Sequence, residues 1–169
     1  MTGKSNASIP GRLNALYHSW VVLLNHGQSP LLLAIRLYWG YQFAQTGWGK
    51  LHRLPQVADF FASLGLPMPA ATALFVALVE FLGGILLALG LGSRIAALVL
   101  FFNMTVAYWT ADREAFGQFF SDPGKFTAAD PFTFWFAALL ILILGPGAWA
   151  VDTLIGRRFA AKLESAPSA

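Results

Sequence analysis

The sequence has no cysteine, and charged residues are scarce. Without cysteine the chain has no disulfide, no thiolate metal site and no Cys-x-x-Cys redox pair, so any electron transfer must use another group. Only 11% of the residues are charged while 57% are hydrophobic, and the mean hydropathy is +0.60. An average soluble domain carries more charge than this. The composition therefore predicts a single integral membrane domain in the 169 residues.

Histidine is also scarce, and its positions exclude two kinds of membrane cofactor site. His18, His26 and His52 lie outside the long apolar stretches, so facing helices offer no pair of haem ligands. No Glu-x-x-His pair indicates a di-iron site, and the acidic loop residues lack metal-loop spacing. We therefore expect neither haem nor metal. The net charge of +3 rests on scattered basic residues, which argues against a nucleic-acid partner.

Four apolar stretches are long enough to cross a hydrocarbon core, which takes about twenty helical residues. They cover residues 30–47, 69–90, 94–110 and 131–150. Three of them begin near a proline, where a missing backbone N–H costs little: Pro30, Pro69 and Pro131. The sequence predicts an all-α fold, a polytopic bundle of four transmembrane helices.

The segments beside this bundle are expected to lie at the membrane surface. Apolar residues recur at helical spacing within 12–24, which predicts an amphipathic helix in the interface. Residues 1–28 then form an N-terminal interfacial segment, 29–152 the membrane domain and 153–169 a basic C-terminal tail. No cleavable signal pattern precedes the first span, so we expect the N-terminus to be retained.

A second amphipathic stretch, residues 55–69, follows the first span. It is either a simple interfacial anchor or a lid over a lateral opening between helices, and the sequence leaves both interpretations open. Basic residues are more frequent beside the two termini and the 92–94 turn than in the two longer loops. Such an excess is typical of the cytoplasmic side, so both termini are predicted to be cytoplasmic.

Three polar side chains fall within these spans at similar depth. At about 1.5 Å per helical residue, Arg36 and Glu80 each lie roughly 16 Å below the outer ends of their spans. Asn103 lies roughly 14 Å from the inner end of the third span. An arginine facing a buried carboxylate keeps it ionised. We therefore predict an Arg36–Glu80 pair with Asn103 as a hydrogen-bond partner, either as a structural pin or as a ligand- or proton-handling site.

Four short motifs follow one another along the chain: GWGKL at 47–51, DFFASLGLPMP at 59–69, EFLGG at 80–84 and GLGSRIAAL at 90–98. Their order resembles the DoxX family of small four-helix membrane proteins, over about residues 30–152. The family includes relatives of the DoxD-type subunit of thiosulfate:quinone oxidoreductase, and many members have no assigned reaction. The resemblance implies the plasma membrane of a prokaryote and importance for these positions: Arg36, Gly47, Lys50, Gly65, Pro67, Glu80, Gly83, Gly84, Gly90 and Arg94.

The resemblance implies a membrane subunit of a quinone-linked oxidoreductase system, with a redox protein or subunit as partner. The expected quinone site joins a catalytic pair, Arg36 and Glu80, to four binding residues, Asn103, Lys50, Trp39 and Tyr108. The alternative is a non-catalytic membrane scaffold that positions a soluble partner. A transporter is a weaker interpretation, because no inverted repeat is evident. The sequence leaves open whether the chain is an enzyme and whether it forms a homo-oligomer in the bilayer.

Overall fold

The protein is described here by a computed structural model that covers residues 9–164, and every element in that range is a helix. The helices are α1 (Ile9–Leu51), α2 (Leu54–Ser63), α3 (Pro69–Leu89), α4 (Ser93–Thr110), α5 (Arg113–Gly117), α6 (Pro123–Ala128), α7 (Pro131–Leu144) and α8 (Val151–Glu164). The prediction of an all-α fold is confirmed. Pro69 and Pro131 stand in the first turn of α3 and α7, as predicted.

One described helix, α3, is both long and apolar enough to cross a membrane, with 21 residues and a mean hydropathy of 2.3. The fourth predicted span is shorter than expected, because α7 has only 14 residues. It ends at Gly145, whose φ of 81° lies in the left-handed region that glycine adopts readily. The Gly-Pro-Gly sequence therefore ends this helix, and residues 145–150 form a turn before α8.

The first helix differs most from the sequence expectation. We predicted a break between an interfacial helix and a span that starts at Pro30, but α1 continues through this proline for 43 residues. Proline has a helical φ, but inside a helix it removes one backbone hydrogen bond and its ring crowds the preceding turn, so α1 continues past Pro30 at a local cost. Residues 1–8 of the predicted interfacial segment and residues 165–169 of the predicted tail lie outside the described residues. The rest of the predicted tail is the helix α8.

Close packing of α1 against α3 sets the register of the bundle. A Cβ atom added to Gly47 would collide with the backbone of Phe81, and one added to Gly84 would collide with the backbone of Ala44. Gly40 in turn lies against Ala88. These absent side chains allow the two backbones to approach closely, as small residues do between membrane helices. The antiparallel register therefore places position 47 opposite 77–81 and position 40 opposite 84–88.

The bundle has two different ends. At one end, which we call the loop end, α1 finishes, α3 and α7 begin, and the short helices α2, α5 and α6 are found. At the other, the turn end, residues 90–92 join α3 to α4 and residues 145–150 join α7 to α8. Gly90 and Gly92 have positive φ values of 73° and 57°, which makes this turn tight and confirms α3 and α4 as antiparallel neighbours. The buried core lies between the ends and consists of Phe43, Leu87, Ala97, Leu100, Met104, Ala138 and Ile141.

Candidate functional site

Glu80 lies in the middle of the apolar helix α3, and only 1% of it is exposed. Both of its carboxylate oxygens accept hydrogen bonds from Nζ of Lys50, which stands at the end of α1. Nδ2 of Asn103, on α4, donates to Oε1 of Glu80 at 3.1 Å. Three helices thus contribute one side chain each to a buried polar centre, which we call the Lys50–Glu80 centre. The predicted contact between Asn103 and Glu80 is observed.

Arg36 is not the partner of Glu80, and the predicted Arg36–Glu80 pair is wrong. The depth count treated Gly47 and Pro69 as level ends of two spans, but Gly47 lies opposite Phe81, well inside α3. In this register Arg36 lies beyond Glu80, at the turn end. There its side chain packs against Gly90. Arg36 is fully buried there, and its Nη2 donates to the carbonyl oxygen of Trp149 at 3.0 Å. Its Nε and Nη1 have no partner among the described residues.

A cavity of about 900 Å³ occupies the loop end, and Lys50, Glu80 and Asn103 line it. Small-molecule sites typically measure about 300–1,000 Å³ and combine apolar walls with a few polar groups. The apolar part of the wall comes from helices α2, α3, α4 and α7 and the residues next to them: Val57, Phe60, Phe61, Leu64, Leu66, Val76, Met104, Val106, Ala107, Pro131 and Phe134. The cavity therefore has the size of a small-molecule site, with a wall that combines this apolar surface with polar and charged side chains.

Within the centre, the lysine rather than the carboxylate is the accessible partner. The side chain of Lys50 is 31% exposed, whereas that of Glu80 is 1% exposed. Both side chains line the cavity, and Lys50 contributes the larger exposed surface. The sequence predicted Lys50 as a binding residue of the same site, but it did not predict the ion pair with Glu80.

More charged groups line the cavity near its loop-end opening. Arg53 follows α1, Asp112 follows α4, and Asp130 precedes α7. Burial raises the pKa of the Asp112 carboxyl, and the nearby Asp130 carboxylate raises this pKa further. From the sequence, the acidic loop residues were notable only for lacking metal-loop spacing, and nothing in that spacing indicates that they border a cavity.

The amphipathic segment 55–69 covers one side of the cavity. Gln56, Val57, Phe60 and Phe61 from α2 all line it, and α2 has no buried residue. The connection to α3 contains two positive φ angles, 73° at Gly65 and 44° at Met68. This position is compatible with the interpretation of the segment as a lid.

Two predicted binding residues lie away from the cavity. Tyr108 is fully buried, and its hydroxyl donates to the carbonyl oxygen of Phe126 at 2.8 Å, so it ties α4 to α6. Trp39 packs edge-on against Phe134, with ring centroids 5.1 Å apart. Neither residue is in the lining of this cavity. Both positions are explained by packing, which is the usual role of aromatic residues in a bundle.

Asp152 is a structural residue that the sequence analysis did not single out. Its carboxylate accepts hydrogen bonds from the backbone N–H groups of Gly92 at 2.7 Å and Ser93 at 2.9 Å, and from the Ser93 hydroxyl at 2.9 Å. It thereby caps the N-terminus of α4 from the start of α8. Burial tends to raise the pKa of Asp152, but these hydrogen bonds and the nearby Arg36 guanidinium outweigh burial and lower it.

Sequence comparison with known proteins relates the chain to a family. A sequence model described as DoxX matches residues 31–113, a range that contains Arg36, Lys50, Glu80 and Asn103. The chain is similar to the inner membrane protein YphA of Escherichia coli (strain K12), with 30% identity over 72% of this chain and 88% of the relative. It is also similar to the uncharacterized membrane protein Rv3486 of Mycobacterium tuberculosis (strain ATCC 25618 / H37Rv), with 28% identity over 83% of this chain and 90% of the relative. No solved structure matches the chain.

The helical fold, the polar centre buried in apolar helices and the membrane location of these relatives define the class: an all-helical membrane protein. Within that class, the chain belongs to the DoxX family.

Proposed function

We propose that this DoxX protein is the membrane subunit of a quinone-linked oxidoreductase system and that its loop-end cavity binds quinone or quinol. The observation that carries the proposal is the Lys50–Glu80 centre in the wall of a largely apolar cavity of about 900 Å³. An intramembrane charge is costly, and its presence beside a cavity is typical of a functional site. An apolar wall suits a quinone ring and tail, while the lysine suits a carbonyl oxygen.

The proposed setting is a polytopic four-helix bundle in the plasma membrane of a prokaryote, with both termini cytoplasmic. The second half of α1 would span the bilayer together with α3, α4 and α7. Large apolar side chains on the outer faces of all four helices support this arrangement, because a water-exposed surface rarely carries so many of them. Examples are Leu37, Phe75, Ile95, Phe102 and Ile143, all of which are exposed in the isolated chain.

The chemistry assigned to the chain is proton handling rather than electron transfer. Reduction of a quinone to a quinol takes up two electrons and two protons, and we assign the electrons to a partner redox protein. The Lys50–Glu80 centre can donate a hydrogen bond to a quinone oxygen and pass on a proton, which is the role of a general acid. Asn103 would hold Glu80 in place during this step.

Quinone binding to the purified protein in lipid nanodiscs tests the proposal. The neutral probe decylubiquinone is titrated by equilibrium dialysis against the wild type, Glu80→Gln and Glu114→Gln. The chain offers Glu114 as a matched control, since it pairs with Lys125 at 3.4 Å on the exposed loop. We expect Glu80→Gln to weaken binding by about tenfold or more, because Lys50 loses the carboxylate that holds its ammonium group in place, and Glu114→Gln to leave it unchanged. Equal dissociation constants for all three proteins would contradict the proposal.

A second candidate function is the scaffold that positions a soluble partner. One observation favours it: Phe120, in the loop between α5 and α6, is 92% exposed, and its neighbour Phe119 is 45% exposed. Exposed aromatic residues are typical of contact surfaces. If this loop holds a partner, the Phe120→Ser variant purified from native membranes should lose a polypeptide that accompanies the wild type. The same polypeptide in equal amount with both proteins would contradict the scaffold function.

A further inference from the structure

In the Lys50–Glu80 centre, the lysine has a hydrogen-bond donor to spare, whereas both oxygens of the carboxylate already accept hydrogen bonds. A lysine ammonium group has three N–H donors, and the two oxygens of Glu80 accept from it. At least one donor is therefore left for another acceptor. Lys50 lines the cavity and retains an exposed fraction of 31%, so this donor is within reach of a molecule bound there.

Glu80, in contrast, is already occupied. One of its oxygens accepts from both Lys50 and Asn103, the other accepts from Lys50, and the side chain is almost completely buried. Both residues line the cavity, but Lys50 exposes 31% of its side chain and Glu80 only 1%, so a ligand has more access to the lysine. This arrangement differs from the sequence prediction, in which Glu80 was a catalytic residue.

The charges around the cavity indicate what kind of ligand fits. Three carboxylates line it, from Glu80, Asp112 and Asp130, and they face two cations, Lys50 and Arg53. The lining therefore has no excess of positive charge, even though Lys50 is more exposed than its partner Glu80. An anionic ligand would meet two cations, Lys50 and Arg53, and the field of three carboxylates, so the net charge of the lining disfavours it.

We infer that Lys50 contacts the ligand directly, by donating one N–H to an uncharged acceptor oxygen, and that Glu80 is a positioning residue that keeps anions out. The inference rests on the proposed function, and it narrows the ligand to a neutral, carbonyl-bearing amphiphile. Glu80 holds the ammonium group in place and cancels its charge, while Asn103 holds Glu80. Removing Glu80 should thus alter selectivity, whereas removing Lys50 should abolish the contact.

Two probes with the same ring system separate these roles: neutral 1,4-naphthoquinone and its anionic 2-sulfonate. Dissociation constants are measured by equilibrium dialysis on the protein in nanodiscs, and each variant is compared with the wild type so that partition into lipid cancels. Lys50→Met should weaken binding of the neutral probe by about tenfold or more. Glu80→Gln should tighten binding of the sulfonate itself, and so shift the ratio of the two constants toward the sulfonate by more than the loss of neutral binding alone, since the carboxylate no longer offsets Lys50. The matched surface variants, Lys125→Met and Glu114→Gln, should change neither value.

Lys50→Met leaves a buried carboxylate without a cation, and this can prevent folding. The double variant Lys50→Met/Glu80→Leu avoids the problem, because apolar replacement of a buried pair is often tolerated. Size-exclusion chromatography verifies the fold of the double variant. Its affinity for the neutral probe should fall as far as that of the Lys50→Met variant. If the wild type binds neither probe, the quinone function itself fails. If the wild type binds the neutral probe and the double variant retains that affinity, or if Glu80→Gln leaves the ratio unchanged, quinone binding stands and the roles assigned here are wrong.

Discussion

Each end of the bundle buries a basic residue of α1, but the two residues have different surroundings. At the loop end, Lys50 contacts a carboxylate directly and borders a large cavity. At the turn end, Arg36 is enclosed by packed backbone and donates to the Trp149 carbonyl, while the nearby Asp152 is occupied with Gly92 and Ser93. The difference teaches that a buried charge indicates a site only when it also reaches an open space. By that criterion, Lys50 belongs to the proposed site and Arg36 has a structural role.

The largest expected effect comes from breaking the register that keeps these two ends apart. Gly84→Ala adds a Cβ atom where the backbone of Ala44 leaves no room, so α1 and α3 must separate. We expect a loss of about 1–3 kcal/mol of stability, or failure to fold, from this overpacking. Thermal unfolding in detergent measures the change. The control is Gly27→Ala, because nothing lies within 4 Å of that added atom. Equal stability of the two variants would show that the close approach of α1 and α3 is not needed.

An intermediate effect is expected at the turn end. Arg36→Met removes a fully buried cation and the hydrogen bond to Trp149 and leaves that carbonyl without its donor. The expected cost is about 1–3 kcal/mol of unfolding free energy, with unchanged quinone affinity in the protein that folds. Thermal unfolding measures the change in stability, and equilibrium dialysis measures the quinone affinity. A large loss of quinone affinity at normal stability would place Arg36 in the functional site after all.

The smallest effect concerns the pH dependence of the cap on α4. The folded-state pKa of Asp152 is lowered, so the carboxylate contributes stability above its unfolded pKa of about 3.9, and this contribution is lost as pH falls through the folded value. Asp152→Asn should therefore be less stable than the wild type at neutral pH, and the difference should shrink below about pH 4. Unfolding curves of both proteins at a series of pH values measure this difference in stability. A constant difference across the series would mean that the charge of Asp152 has no part in the cap.

The helices were largely predictable from the sequence because the determinants are local. Apolar runs and proline starts placed α3 and α4 to within one or two residues, and two glycines marked the turn between them. Pro30 was misleading, since a proline marks the start of a helix in one context and lies inside a helix in another.

The pairing of the charges was not predictable, because it depends on the register between two helices. Depth counted along each helix assumes that the helix ends are level, and the contact of Gly47 with Phe81 shows that they are not. Lys50 also reaches inward to Glu80 along a flexible stem. The cap from Asp152 to Ser93 joins residues 59 positions apart, and no local pattern indicates it.

The most direct test of the account asks which end of the molecule a quinone occupies. A photoreactive azidoquinone is cross-linked to the protein in nanodiscs, and the labelled peptides are identified by mass spectrometry. The account predicts adducts on the residues that line the loop-end cavity, such as Val57, Phe60 and Val106, and loss of these adducts in the double variant Lys50→Met/Glu80→Leu. Adducts at the turn end around Arg36 and Trp149, unaffected by the double variant, would contradict it.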